Sequence, residues 1–158
     1  MSFSCASKKN VSQTEPVYNN AFGVSDTTVI AKYRTTVCFG KCPAYEVIIK
    51  ANGECTYNAM QNTKLETGLY SAKIDTAQVN ELHRIGERIG FKNYKNLYTN
   101  PYIVDKPSVF LSLYIPEHDS IKTVERIIDY PQEIWDLEKP LRAISENSDW
   151  KKITDSKE

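Results

Sequence analysis

The chain has no excess of either charge: 20 Lys and Arg stand against 20 Asp and Glu. Binding a phosphate backbone needs a basic surplus, so no nucleic-acid partner is expected. No apolar run approaches the ~20 residues that cross a bilayer as a helix. Glycine is scarce, and the six present are scattered mostly at turns, which leaves no Gly-rich phosphate loop. Only two histidines occur, His83 on a helix flank and His118 in a turn. Neither has a neighbouring metal ligand or nucleophile, and both read as surface residues. Serine, histidine and aspartate are present, but no nucleophile elbow or other ordered set joins them. The sequence therefore names no catalytic residue, no metal ligand and no cofactor site.

At 158 residues the chain has room for one domain with a hydrophobic core. Met1-Ser2-Phe3-Ser4-Cys5, followed by Ala6-Ser7-Lys8-Lys9, looks like the tail of a bacterial lipoprotein signal: a small residue, a cysteine, then a soluble tether. Ser2 departs from the Leu usual at that place. The expectation is a lipid on Cys5, a periplasm-facing place in the cell envelope, and membrane contact only through that anchor. Residues 6–27 are rich in Ser, Thr, Asn and Lys without an apolar period and read as a flexible leader. The expected division is a truncated signal remnant and tether over 1–27, an α+β domain over 28–152, and a polar tail over 153–158.

Alternating side chains predict strands over Thr28–Val37, Ala44–Lys50 and Glu54–Ala59. A loop of Phe39-Gly40-Lys41 sets Cys38 opposite Cys42, Tyr33 opposite Val47 and Ala31 opposite Ile49, with Arg34 facing Glu46 on the other side. A second loop of Ala51-Asn52-Gly53, with Gly53 at positive φ, sets Ile49 opposite Cys55 and Val47 opposite Tyr57. A short strand at Leu69–Lys73 is an option. A helix follows over Asp75–Ile89, with Asp75 and Gln78 as a capping box, Val79, Leu82, Ile85 and Ile89 as its apolar stripe, and Gly90 as its stop. Strands at Ser108–Ile115 and Ser120–Ile128 precede a last helix from about Pro131, which Pro140 should kink or split. The order β-β-β-(β)-α-β-β-α predicts an antiparallel sheet with two helices on one face. The ten tyrosines suit half-buried sheet faces.

Cys38-Phe39-Gly40-Lys41-Cys42-Pro43 is the most specific stretch. Gly40 and Pro43 argue against a helix, two thiols fall short of a tetrahedral zinc site, and a thioredoxin-type pair has two intervening residues at a helix N-terminus. In the hairpin register the two Cα atoms face each other, which predicts a structural disulfide. Cys55 points inward and should be a buried, inert thiol. Asp105, two residues before Pro107, reads as a turn former or a ligand contact. Trp150 should seal the edge of the core.

The pattern Cys-x-Gly-x-Cys-Pro-x-Tyr, a hairpin Gly then an aromatic, a later Asp-x-Pro and a C-terminal Trp falls here on Cys38, Gly40, Cys42, Pro43, Tyr45, Gly53, Tyr57, Asp105, Pro107 and Trp150. Over about residues 27–151 the chain resembles an uncharacterised bacterial family, the domain of unknown function numbered 6438. Members resemble exported or lipid-anchored proteins, and the resemblance brings no catalytic residue, cofactor or substrate. Two functional expectations follow. The first is a non-enzymatic envelope module that binds a protein, peptide or glycan, with Tyr94, Tyr98, Tyr102 and Asp105 as its candidate ligand surface. The alternative is a thiol-redox enzyme or sensor in which Cys38 and Cys42 cycle.

Overall fold

A computed structural model describes residues 16–154. Four strands, β1 (Val29–Thr35), β2 (Ala44–Lys50), β3 (Glu54–Gln61) and β4 (Gly68–Lys73), form an antiparallel meander. Helix α1 (Thr76–Ile89) then carries the chain back across the sheet. After a short β5 (Leu97–Tyr98), strands β6 (Val109–Ile115) and β7 (Ser120–Arg126) join on the other side of β1. Helix α2 (Ile134–Asn147) recrosses and delivers β8 (Lys151–Lys152) to the edge of β4. The sheet order is β5-β7-β6-β1-β2-β3-β4-β8.

Strand alternation decides what is buried. Ala31, Tyr33, Val47, Ile49, Tyr57 and Leu111 share the inward face and are all buried. Val79, Leu82 and Ile85 of α1, with Leu137, Leu141 and Ile144 of α2, complete the same core. This is an α+β domain with both helices over one face of a mainly antiparallel sheet. The predicted register is the observed one: Tyr33 faces Val47, Arg34 faces Glu46, Ile49 faces Cys55 and Val47 faces Tyr57. Arg34 does more than face Glu46, for its guanidinium lies 5.6 Å from the centre of the Phe110 ring. Gly53 sits at φ +86, and a Cβ there would fall 2.2 Å from the Ile74 carbonyl oxygen. Only glycine meets both demands.

The capping box of α1 is present, with Asp75 and Gln78 as its partners and Gly90 left-handed at its end. Two short edge strands were not predicted, and one of them, β5, pairs in parallel with β7. The optional fourth strand is real. Pro140 neither splits nor ends α2, which runs unbroken from Ile134 to Asn147. The proline removes one hydrogen bond, while buried Ile134 and Leu137 before it and Leu141 and Ile144 after it hold both halves to the sheet. The helix also starts three residues later than expected, because Pro131–Glu133 form a tight turn of i→i+3 bonds. In the segment before β1, Phe22 is buried and rests edge-on against His83, and the Ala21 amide donates to Asn80 Oδ1 at 2.9 Å. Cys5 lies outside the described residues.

Candidate functional site

The chain leading into β1 docks at the end of the sheet that holds the Ala51–Gly53 turn, where Ala51 N donates to Thr28 O at 2.9 Å. The opposite end carries the cysteines. Cys38 and Cys42 are bonded, with Cα atoms 5.5 Å apart, as the hairpin register requires. Three further contacts fix this turn. Thr35 Oγ1 donates to Pro43 O at 2.7 Å, Thr36 N donates to Ser108 O at 3.1 Å, and Phe39 N donates to Asp105 Oδ1 at 3.0 Å. Asp105 stands at φ +77, a conformation that aspartate tolerates better than most residues. Its carboxylate thus ties the loop before β6 to the disulfide loop.

Behind this turn, between the strand ends and α2, lies a cavity of about 850 Å³. That is within the range of small-ligand sites. One wall is a row of rings on neighbouring strands. Tyr33 on β1 meets Tyr45 on β2 at 5.9 Å between centroids, and Tyr45 stacks on Tyr57 of β3 at 5.0 Å and 12°. Trp150 extends the row, 5.2 Å from Tyr57, and its indole N–H donates to Ser145 O at 2.9 Å. Cys42, Pro43 and Pro107 close the disulfide side.

The floor holds an ion pair. Glu138 of α2 is 1% exposed and accepts from Arg126 Nε at 2.7 Å and from a second guanidinium nitrogen. The Tyr33 hydroxyl donates to the same carboxylate at 3.2 Å. Burial, and then the Glu138 charge, push the Tyr33 phenol well above the ordinary tyrosine range. Burial acts alike on Tyr45 and brings Tyr57 to about 12. For Arg126 burial acts downward, but the hydrogen bond and charge of Glu138 outweigh it, and the net shift is upward. All these phenols are therefore neutral at physiological pH, and the guanidinium is charged and partnered. On the other side of the Arg126 guanidinium the Tyr130 ring lies 4.8 Å from it.

Tyr94, Tyr98, Tyr102 and Asp105 do not line this cavity. Tyr94 is half-buried, edge-on to Phe91 at 6.2 Å, and the Tyr98 hydroxyl accepts from Lys95 N at 3.2 Å. Tyr102 is 92% exposed, as is Phe39 at 91% on the disulfide loop that Asp105 holds. Cys55 is free and buried, and burial pushes its thiol up to about 12. Among the described residues no group of three or more His, Cys, Asp or Glu is placed to hold a metal ion.

Sequence reasoning missed Arg126, Glu138 and Arg142 as cavity residues. A signal was present for two of them. Arg126 follows Val124 at strand spacing on the inward face, and Glu138 lies within the helical stripe of Ile134, Leu137 and Leu141. A charge at a core position asks for a partner.

Cys42, Pro43, Tyr45, Tyr57, Pro107 and Trp150 meet on this one cavity, although 108 positions separate the first from the last. No curated protein and no solved structure matches the chain. The profile of one family does match, over residues 29–145, and the chain belongs to that family, described as domain of unknown function DUF6438.

Proposed function

We propose that this domain is a non-enzymatic binding module of the bacterial cell envelope, tethered by lipid at Cys5, whose cavity takes a small ligand or the end of a larger one. Protein, peptide and glycan ligands all fall within this reading. The observation that carries it is the convergence of residues from distant parts of the chain on one open, aromatic-walled cavity. The cavity also stands at the end of the sheet opposite to where the leader arrives, so a tether would present it outward. The thiol-redox reading has less support. Cys38 and Cys42 cap a hairpin rather than a helix N-terminus, and buried Cys55 is held far from thiolate formation.

Two experiments test the proposal. The first follows the Trp150 indole resonance in ¹⁵N-labelled protein against a mixed library of sugars, peptides and small aromatics. Shifts at Trp150 are expected from at least one class, and a library that moves no cavity resonance removes the reading. The second measures the intact mass of the membrane fraction from the native host, where a soluble, unmodified Cys5 would remove the anchor.

A further inference from the structure

We infer that the cavity is built for a neutral, hydroxyl-rich ligand with a flat apolar face, the chemistry of a hexopyranose glycan. The inference rests on the reading of the cavity as a ligand site and adds the ligand's class. It follows from where the protons of the lining hydroxyls already point. Thr35 donates to Pro43 O at 2.7 Å, Thr63 to Leu65 O at 2.6 Å, Ser145 to Leu141 O at 2.9 Å and Ser148 to Ile144 O at 2.7 Å. A carbonyl oxygen cannot donate, so each of these hydroxyls must. The Tyr33 hydroxyl likewise gives its proton to Glu138, and the Trp150 N–H is committed to Ser145 O. All six groups line the cavity. Five fixed hydroxyl oxygens therefore have only lone pairs left to offer, Glu146 and Asp149 add carboxylate acceptors, and the Tyr45 and Tyr57 hydroxyls, Asn62 and Lys64 supply donors beside them.

A lining that both accepts and donates suits a ligand whose own groups do both, as hydroxyls do. Carboxylate and phosphate groups only accept, and would leave these oxygens unpaired or facing like charge. The formal charges of the lining also cancel: Lys64, Arg126 and Arg142 against Glu138, Glu146 and Asp149. Arg126 is committed to Glu138, and Arg142 Nε donates to Glu146 at 2.9 Å, so each of these cations stands beside a carboxylate that offsets its pull on an anion. A sugar brings several O–H donors on its edges, and its C–H faces suit the aromatic row of Tyr45, Tyr57 and Trp150.

The test uses the full chain carrying Trp135→Phe, which leaves Trp150 as the one tryptophan reporter. Emission is followed on titration with chitotriose, maltotriose and cellotriose, with trigalacturonate as the anionic counterpart and a proline-rich decapeptide as the peptide probe. At least one neutral trisaccharide should saturate with little dependence on salt. Thr35→Val and Ser148→Ala, each verified as folded by circular dichroism, should weaken it about three- to tenfold, the effect of one lost hydrogen bond. Thr35→Ser, which keeps the acceptor, should bind like the parent. The inference is overturned if trigalacturonate or the peptide binds more tightly than every neutral sugar, or if Thr35→Val and Ser148→Ala leave sugar affinity unchanged. It is also overturned if no neutral sugar binds while other library members shift Trp150, and in that case the ligand-site reading survives. If no class of ligand moves Trp150, both fall together.

Discussion

Glu138→Ala should be among the most damaging single changes in the domain. The carboxylate is 1% exposed and its partner Arg126 has a side chain only 15% exposed. Removing Glu138 leaves a guanidinium and the Tyr33 hydroxyl without their acceptor in a site that water reaches poorly. Breaking a buried pair by deleting one partner costs about 3–5 kcal/mol. Total stabilities of domains are about 5–15 kcal/mol, so this is a large share. At roughly 3 °C per kcal/mol for a domain of this size, the midpoint should fall by about 10 °C or more. Urea unfolding with an unchanged m-value is the assay. The double variant Glu138→Leu with Arg126→Met removes both charges and should recover most of the loss. A single-variant cost below about 1 kcal/mol would show that Arg126 is solvated and the pair is not buried. A double variant as unstable as the single one would place the cost in lost packing instead of an orphaned charge.

Replacing Cys38 and Cys42 together by Ser should cost about 2 kcal/mol or less, since so short a loop constrains the unfolded chain little. Denaturant unfolding checks this, and a loss far above that value would mean the disulfide holds the cavity wall as well as the turn. Gly53→Ala combines a left-handed backbone with a 2.2 Å approach to the Ile74 carbonyl and should cost about 1–3 kcal/mol in a thermal melt. A neutral result would contradict the three-residue turn. High pH should unfold the domain. Cys55, Tyr57 and Tyr33 have folded pKa values raised by burial, so the native state holds protons that the unfolded chain releases. Their contribution is complete below about pH 9 for the thiol and pH 10 for the phenols, and is lost as pH rises towards the folded values. Each group should steepen the loss by about 1.4 kcal/mol per pH unit, and Cys55→Ala should remove the part that begins near pH 9.

Most of the sheet was legible because its inward face alternates cleanly. A one-residue slip would separate Tyr33, Val47 and Tyr57 onto opposite faces, and the register that keeps them together also brings Cys38 to Cys42. The edge pairs were hidden for a different reason. Leu97–Tyr98 and Lys151–Lys152 pair through backbone groups at positions set by the helices and loops before them, and two residues carry no period. Pro140 does not split α2, because packing on both sides of it outweighs the local propensity that argued for a break. The cavity was the least legible feature. Trp150, Glu138, Tyr45 and Pro107 come from separate elements, and their meeting depends on how α2 lies across the strand ends. The individual residues were visible, but their shared location was not.

Ligand contact is expected at the cavity of Tyr45, Tyr57 and Trp150. The most direct measurement places a photo-crosslinking amino acid at single exposed positions and irradiates the protein in its native host. Glu146 lies on the cavity, Tyr102 on the protruding loop before β6, and Leu97 on the edge strand β5. A discrete adduct from position 146, absent from position 97 and suppressed by Ser148→Ala, is the predicted result. Adducts from position 102 with none from position 146 would rule out the cavity as the site of contact and move the binding surface to the exposed loop.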